Sequence, residues 1–314
     1  MSGSGSGVVV KGVVSFGEFV TWYRVTGRAD SGGPVLVVVH GGPGATHDYL
    51  LPLAEFAERG CPVVHYDQIG NGGSSHVPGA DPGFWTPELF LEELDNLLAQ
   101  LGVADDYVLF GQSWGGMLAA AHASAAPAGL RGLVIANAPA SYPLWRAEMD
   151  VLRDRLPAGV DATLRRHEAA GTTGSDEYLE AMLVFYGRHF CRLDPMPAPL
   201  MATFIETNMN PTVYHTMNGP NEFSVTGSLR DWSVIEGLPR ISVPTLVISG
   251  RHDEATPAAV RPFQELIPNA RWEIFEDSSH APHFEEPERF TQVLGAFLDS
   301  VGATGARTTT LSGG

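Results

Sequence analysis

The stretch Leu109-Phe110-Gly111-Gln112-Ser113-Trp114-Gly115-Gly116 decides the fold of this chain. The apolar run 107–110 is typical of a buried strand, and the Ala-rich run 117–126 predicts a helix. A strand that turns sharply into a helix leaves no room beside the serine, and the glycines on either side supply it. Ser113 is therefore predicted at a helix N-terminus, where the helix dipole favours a developing alkoxide. An ordinary strand-to-helix turn is the alternative interpretation.

Composition limits the classes of protein to which the chain can belong. It has 314 residues, of which 44% are hydrophobic and 18% are charged, as is ordinary for a globular protein with a large core. The net charge of −17 argues against nucleic acid as a partner, because a phosphate backbone attracts basic surfaces. No apolar run reaches transmembrane length, so no membrane partner is predicted.

Both ends of the chain are low in complexity. Residues 1–7 are mostly Ser and Gly without a signal-peptide pattern, which predicts a flexible linker or tag. Residues 302–314 are rich in Gly and Thr and are predicted to form a disordered tail. Cys61 and Cys191 are too few for a disulfide framework or a metal cluster, so we expect reduced thiols in a cytoplasmic protein.

Strand and helix patterns alternate along most of the chain. The runs 8–14 and 19–25 predict an opening hairpin, and later strands are predicted at 35–39, 62–66, 107–110, 132–136, 245–249 and 271–275. Helical patterns fall at 49–58, 89–101, 117–126 and 288–298. This alternation predicts an α/β fold, with a mostly parallel sheet and helices on both faces.

The alternation stops between residues 144 and 232, where only helical patterns occur, at 144–156, 161–170, 176–191 and 198–208. We interpret 8–140 and 240–301 as the core and 141–239 as an inserted helical cap. The cap is expected over the carboxyl ends of the strands, where open α/β sheets bind ligands.

The segment His40-Gly-Gly-Pro-Gly44 follows a continuous apolar strand. Its glycines allow backbone N–H groups to approach a ligand closely. A plain turn is one alternative, and a phosphate loop is another, although the downstream Lys-Ser/Thr of a P-loop is missing. Its place between a strand and the serine turn favours a contribution to an oxyanion hole.

Three side chains that could form a catalytic triad each follow a predicted strand. Ser113, Asp253 and His280 occur in the chain order Ser, Asp, His that marks α/β hydrolases. Histidine can take the serine proton near neutral pH, and a carboxylate fixes the tautomer of the imidazole. Asp67 also follows a strand, but we interpret it as a turn-stabilising acceptor. An alternative interpretation of Asp253 is that it caps a helix ahead of Pro257.

The chain resembles the proline iminopeptidases, including the tricorn-interacting aminopeptidase, and the related L-amino acid amide hydrolases. The resemblance spans most of residues 12–300 and is carried by His40–Gly44, Asp67–Ser74, Gly111–Gly116, Met217–Phe223, Gly227–Trp232 and Gly250–Pro257. The sequence of this chain differs from many of these proteins at Gly73, where they carry arginine, and from some of them at Gln112.

The resemblance implies roles for four further residues. Gly42 and Trp114 would donate the oxyanion N–H groups, and Glu222 and Glu254 would hold the free α-amine of a substrate. It implies a serine hydrolase that releases an N-terminal residue, proline favoured, from small peptides or hydrolyses L-amino acid amides through an acyl-enzyme.

No metal or organic cofactor is implied, and the oligomeric state is open, a monomer being compatible. The alternatives are an esterase or lactonase with the same triad and a non-catalytic ligand receptor on the same fold. Epoxide hydrolases and dehalogenases of this fold carry Asp at the position of Ser113, which disfavours them.

Overall fold

The computed structural model describes residues 8–28 and 33–303. One eight-stranded sheet has the order β1-β2-β4-β3-β5-β6-β7-β8, with β1 at Val9–Phe16, β2 at Phe19–Thr26, β3 at Val35–Val39, β4 at Val63–Tyr66, β5 at Tyr107–Gln112, β6 at Leu130–Ala136, β7 at Thr245–Gly250 and β8 at Ala270–Phe275. The opening hairpin and the β2–β4 pair are antiparallel, and every later pair is parallel. The predicted α/β architecture is confirmed.

The apolar run of β3 shows why the central strands carry so few polar residues. All five side chains of Val35–Val39 are buried. Val35, Val37 and Val39 pack into one hydrophobic core, whereas Leu36 and Val38 pack into a second. Because successive side chains point to opposite faces, a strand covered on both sides must be apolar throughout.

Ten α-helices surround this sheet in the described part of the chain: α1 at Pro87–Gln100, α2 at Trp114–Ser124, α3 at Tyr142–Arg153, α4 at Val160–Ala170, α5 at Asp176–His189, α6 at Ala198–Met209, α7 at Thr212–Met217, α8 at Pro257–Leu266, α9 at Pro282–Glu285 and α10 at Pro287–Ser300. The predicted helix at 49–58 is a 3₁₀ helix, Asp48–Arg59, with Pro52 inside it. Proline lacks the N–H that an α-helical hydrogen bond would need.

Helices α3 to α7 lie between β6 and β7, in what we call the helical insertion, residues 137–244. Aromatic side chains from α5 and the residue that follows it, from α6 and from the turn after α7 contact one another there, through the rings of Phe185, Tyr186, Phe190, Phe204 and Phe223. The division into core and cap at residues 141 and 239 stays a prediction.

The two predicted terminal segments lie mostly outside the described residues, which exclude 1–7 and 304–314. Ala303 is described and buried, and its N–H donates to the Leu298 carbonyl at 2.8 Å. Ala303 therefore packs against the end of α10.

Candidate active site

Ser113 occupies the sharp turn between β5 and α2. Its backbone has φ 56° and ψ −126°, a left-handed conformation that non-glycine residues rarely adopt. A side chain at Gly111 would collide with the Gly115 carbonyl, and one at Gly115 would collide with the Val39 carbonyl. The turn therefore requires both glycines, and it leaves Ser113 partly exposed above the sheet.

Asp253 and His280 follow the ends of β7 and β8, and the structure brings them together. The Nδ1 atom of His280 lies 2.7 Å from Oδ1 of Asp253, with both side chains buried. A proton on Nδ1 that is shared with this carboxylate leaves Nε2 free to act as a base. The cavity described below is lined by both Ser113 and His280.

Asn137, which directly follows β6, is a residue that sequence reasoning missed. Its Nδ2 donates to Oδ2 of Asp253 at 2.6 Å and to the Ser279 carbonyl at 3.1 Å. The Ala255 N–H donates to Oδ1 of Asp253 at 2.9 Å. Both oxygens of Asp253 are thus paired. The only signal in the sequence is an Asn after a strand, a residue that tolerates the left-handed φ of 52° found here.

The two predicted oxyanion residues lie close to Ser113. Gly42 has φ 111°, and a side chain there would collide with the backbone of Gly44 and Ala45. Trp114 is the first residue of α2, so its N–H belongs to the unpaired first turn of a helix. Both residues line a small cavity together with Ser113.

Gln68 ties the segment His40–Gly44 to the serine turn. Its side-chain oxygen accepts a hydrogen bond from the Trp114 indole at 2.9 Å, and its side-chain nitrogen donates to the His40 carbonyl at 2.9 Å. The Gln68 N–H also donates to Nε2 of His40 at 2.9 Å. Burial lowers the pKa of His40 to about 4, so the ring is neutral and can accept this bond.

Gln112, at which this chain differs from some relatives, also links these segments through hydrogen bonds. Its oxygen accepts from the Tyr49 hydroxyl at 2.6 Å, and its nitrogen donates to the His280 carbonyl at 3.2 Å. The Tyr49 hydroxyl in turn accepts from the Gly41 N–H at 2.7 Å. One buried amide therefore joins the glycine segment, the serine turn and the histidine loop.

Asp67 forms its hydrogen bonds with residues outside the predicted triad. It accepts from the backbone and ring nitrogens of His47 at 2.9 and 2.7 Å and from the Gly73 N–H at 2.9 Å. Burial opposes ionisation, but these bonds and the His47 charge hold the pKa of Asp67 below its ordinary value. A side chain at Gly73 would collide with Trp22, so an arginine would not fit there without movement.

Glu254 is a buried carboxyl group beside the histidine. Its Oε1 lies 3.8 Å from Nε2 of His280, and within residues 8–28 and 33–303 its Oε2 has no hydrogen-bond partner. Glu222 follows α7 and accepts a hydrogen bond from the Tyr214 hydroxyl at 2.6 Å. Burial raises the pKa of both glutamates, and the charge of Glu222 raises that of Glu254 further.

A cavity of about 410 Å³ joins these groups. Its polar wall includes Gly42, Ser113, Glu222, Glu254 and His280. Its apolar wall comes from α5, the residue that follows α5, and α6, through Leu179, Met182, Tyr186, Phe190, Leu200 and Phe204. Five of the seven predicted site residues line it; Asp253, which bonds His280, does not, and Trp114 lines the small cavity that also contains Ser113. Among the described residues, no His, Cys, Asp or Glu groups of three or more could hold a metal ion.

The parallel sheet and the turn at Ser113 define the class of protein. A family model for the alpha/beta hydrolase fold matches residues 34–287, and the chain belongs to this fold family. Within it, the chain belongs to the proline iminopeptidase family, as its similarity to a proline iminopeptidase of Saccharolobus solfataricus shows. The two are 40% identical over 279 residues, or 89% of this chain and 88% of that protein. The chain is therefore a hydrolytic enzyme, and the receptor alternative is rejected.

A solved structure that is named as a proline iminopeptidase supports the same assignment. The crystal structure of a proline iminopeptidase from Mycobacterium smegmatis has a TM-score of 0.88 and 46% identity, covering 93% of this chain and 99% of that one. The crystal structure of VinJ has a TM-score of 0.92 and 61% identity, with the same coverage. Within the part of the chain described, no helix combines the length and apolarity needed to span a membrane.

Proposed function

We propose that this enzyme is a serine aminopeptidase that cleaves the amide bond after a free N-terminal residue, with proline favoured as the residue released. Small peptides and L-amino acid amides are the substrate classes. The names of the relatives support the choice of proline. Two free, buried thiols, Cys61 and Cys191, agree with a cytoplasmic location.

The observation that carries this proposal is the carboxyl oxygen of Glu254, in the cavity wall, to which no described residue forms a hydrogen bond. A buried carboxylate is costly unless a cation or a hydrogen-bond donor pairs with it. Glu222 lines the same cavity, and two carboxylates repel each other when no cation lies between them. The protonated α-amine of a peptide would satisfy both groups.

In the proposed reaction, Ser113 Oγ attacks the carbonyl carbon while His280 Nε2 takes its proton. The hydrogen bond from Nδ1 to Asp253 stabilises the resulting imidazolium. The N–H groups of Gly42 and Trp114 donate to the oxyanion. His280 then gives the proton to the leaving amine, and an acyl-enzyme remains on Ser113. Water activated by His280 releases the free amino acid and restores the serine.

The test compares prolyl-naphthylamide with its N-acetyl form. We expect wild type to prefer the free amine at least about 100-fold in kcat/KM, which is roughly 2.7 kcal/mol. Glu222→Gln and Glu254→Gln should each reduce this preference, because each neutralises one partner of the ammonium.

Glu206→Gln on α6 is the matched control, since Glu206 does not line the cavity and bonds to Asn210 instead. It should leave the preference unchanged. Equal hydrolysis of the two substrates by wild type would refute the aminopeptidase and favour the esterase or lactonase, which has no need of a free amine.

A further inference from the structure

The turn that carries Glu222 is fixed by its neighbour. The Oδ1 atom of Asn221 accepts hydrogen bonds from the N–H groups of Phe223 and Ser224, both at 3.0 Å. An Asn side chain that bonds the N–H groups following it closes a local turn. Because Glu222 lies inside this turn, the direction of its side chain depends on where Asn221 is held.

A buried tyrosine holds Asn221. The Nδ2 atom of Asn221 donates to the Tyr178 hydroxyl at 2.7 Å, and this hydroxyl donates to Oε1 of Glu168 at 3.4 Å. Tyr178 lies on α5 and is almost completely buried. The turn after α7 is thereby linked through α5 to α4.

The far end of this chain of bonds is Arg153 on α3, whose side chain is 4% exposed. Its two terminal nitrogens donate to the two oxygens of Glu168 at 3.1 Å each, and its Nε donates to Asp161 at 2.6 Å. The guanidinium carbon also lies 5.5 Å from the centre of the Phe223 ring. Arg153 thus reaches the Glu222 turn by two routes.

We infer that this Arg153 network, which consists of Arg153, Asp161, Glu168, Tyr178 and Asn221, positions Glu222 for the substrate amine. The inference depends on the proposed function of Glu222. Buried ion pairs add little net stability compared with apolar packing, but a bidentate arginine restricts geometry. Arg153, Asp161 and Glu168 do not line the cavity, so they act on the substrate only through the turn.

The test uses Tyr178→Phe, which removes one hydroxyl from the centre of the network. We expect the preference for prolyl-naphthylamide over its N-acetyl form to fall about 5-fold to 10-fold, the size of one hydrogen bond. The fall should come from a higher KM for the free amine and not from a lower kcat. Glu168→Gln, outside the cavity, should act in the same direction.

Tyr107→Phe is the matched control, because Tyr107 is also buried and its hydroxyl also bonds a side chain, His122, at 2.6 Å. It should leave the preference at its wild-type value, and thermal unfolding should show that all variants are folded. Arg131→Gln is a second control, since Arg131 is an exposed arginine whose partner, Asp106, lies outside the network.

A double-mutant cycle separates positioning from direct contact, because Tyr178 itself lines the cavity. In the Glu222→Gln background, Tyr178→Phe should cause no further loss of preference. Additive losses would overturn the inference, as would a wild-type preference in Tyr178→Phe or an equal loss in Tyr107→Phe. Wild type without any free-amine preference would overturn the proposed function as well, so the two failures are distinguishable.

Discussion

Two carboxyl groups at adjacent positions of one loop have opposite environments. Asp253 receives hydrogen bonds from His280, Ala255 and Asn137, so both of its oxygens are paired. Glu254 lies 3.8 Å from His280 through one oxygen, and its other oxygen has no partner among the described residues. Both side chains are almost completely buried, so solvent does not account for the difference.

The difference separates a group that must be held in advance from a group that awaits a ligand. A catalytic hydrogen bond accelerates the reaction most when its geometry exists before the substrate arrives. A carboxylate that recognises a cation gains specificity from being unsatisfied without it, at a cost in stability of the free enzyme. The proposed roles of Asp253 and Glu254 follow from this contrast.

The largest expected effect is that of Ser113→Ala, which removes the hydroxyl group that His280 and Asp253 are proposed to activate. Turnover of prolyl-naphthylamide should fall roughly 10⁶-fold, as in other serine hydrolases. Ser124→Ala, at the other end of α2, is the control and should keep full activity. Substantial turnover by purified Ser113→Ala would contradict the assignment of the nucleophile.

The next effect separates two buried aspartates that both accept several hydrogen bonds. Asp253→Asn should lower kcat by about 10⁴-fold, because an amide favours the wrong tautomer of His280. Asp67→Asn should instead lower the free energy of unfolding by about 1–3 kcal/mol, since its partners are His47 and Gly73.

Kinetics at a temperature where both variants are folded, together with urea unfolding, decide between the two outcomes. A dead but stable Asp67→Asn enzyme would show that the choice of catalytic acid is wrong. In that case the hydrogen bonds to Asp253 would stabilise the fold and would not serve catalysis.

The parts of the site that the sequence predicted follow from rules of local pattern. The glycines around Ser113 signal a sharp turn, and Asp253 and His280 follow strands whose carboxyl ends meet at one edge of a parallel sheet. The run Val35–Val39 predicts its own burial, because only apolar side chains suit a strand covered on both faces.

The parts that the sequence did not predict depend on long-range partners. Asn137 lies 116 positions from Asp253, and Tyr49 lies 63 positions from Gln112, so no local pattern connects either pair. The short helices α7 and α9 were missed as well, because six and four residues are too few to show a helical period. Such long-range contacts can be predicted only once the order of the strands in the sheet is known.

The smallest expected effect bears most directly on the contrast between the two carboxyl groups. Burial, together with the charges of Glu222 and Asp253, raises the pKa of Glu254 above its value in the unfolded chain. The folded state then binds more protons between the two pKa values, so this group destabilises the enzyme increasingly as the pH rises through that window. Glu254→Gln should therefore increase the free energy of unfolding at neutral pH, by about 1–3 kcal/mol, and the gain should shrink as the pH falls toward about 4, near the unfolded value.

Glu93 provides the matched control for Glu254→Gln, because burial also raises its pKa, to about 7, while its oxygens accept bonds from Thr21 at 2.6 Å and Ile69 at 3.0 Å. Glu93→Gln replaces an oxygen that accepts a hydrogen bond with a nitrogen that cannot, so we expect it to lower stability at neutral pH. Urea unfolding of both variants between about pH 4 and pH 8 shows whether each substitution raises or lowers the free energy of unfolding. This pH range spans the pKa of glutamate in the unfolded chain. If Glu254→Gln destabilised the enzyme as Glu93→Gln does, Glu254 would be satisfied in the free enzyme, and the contrast with Asp253 would fail.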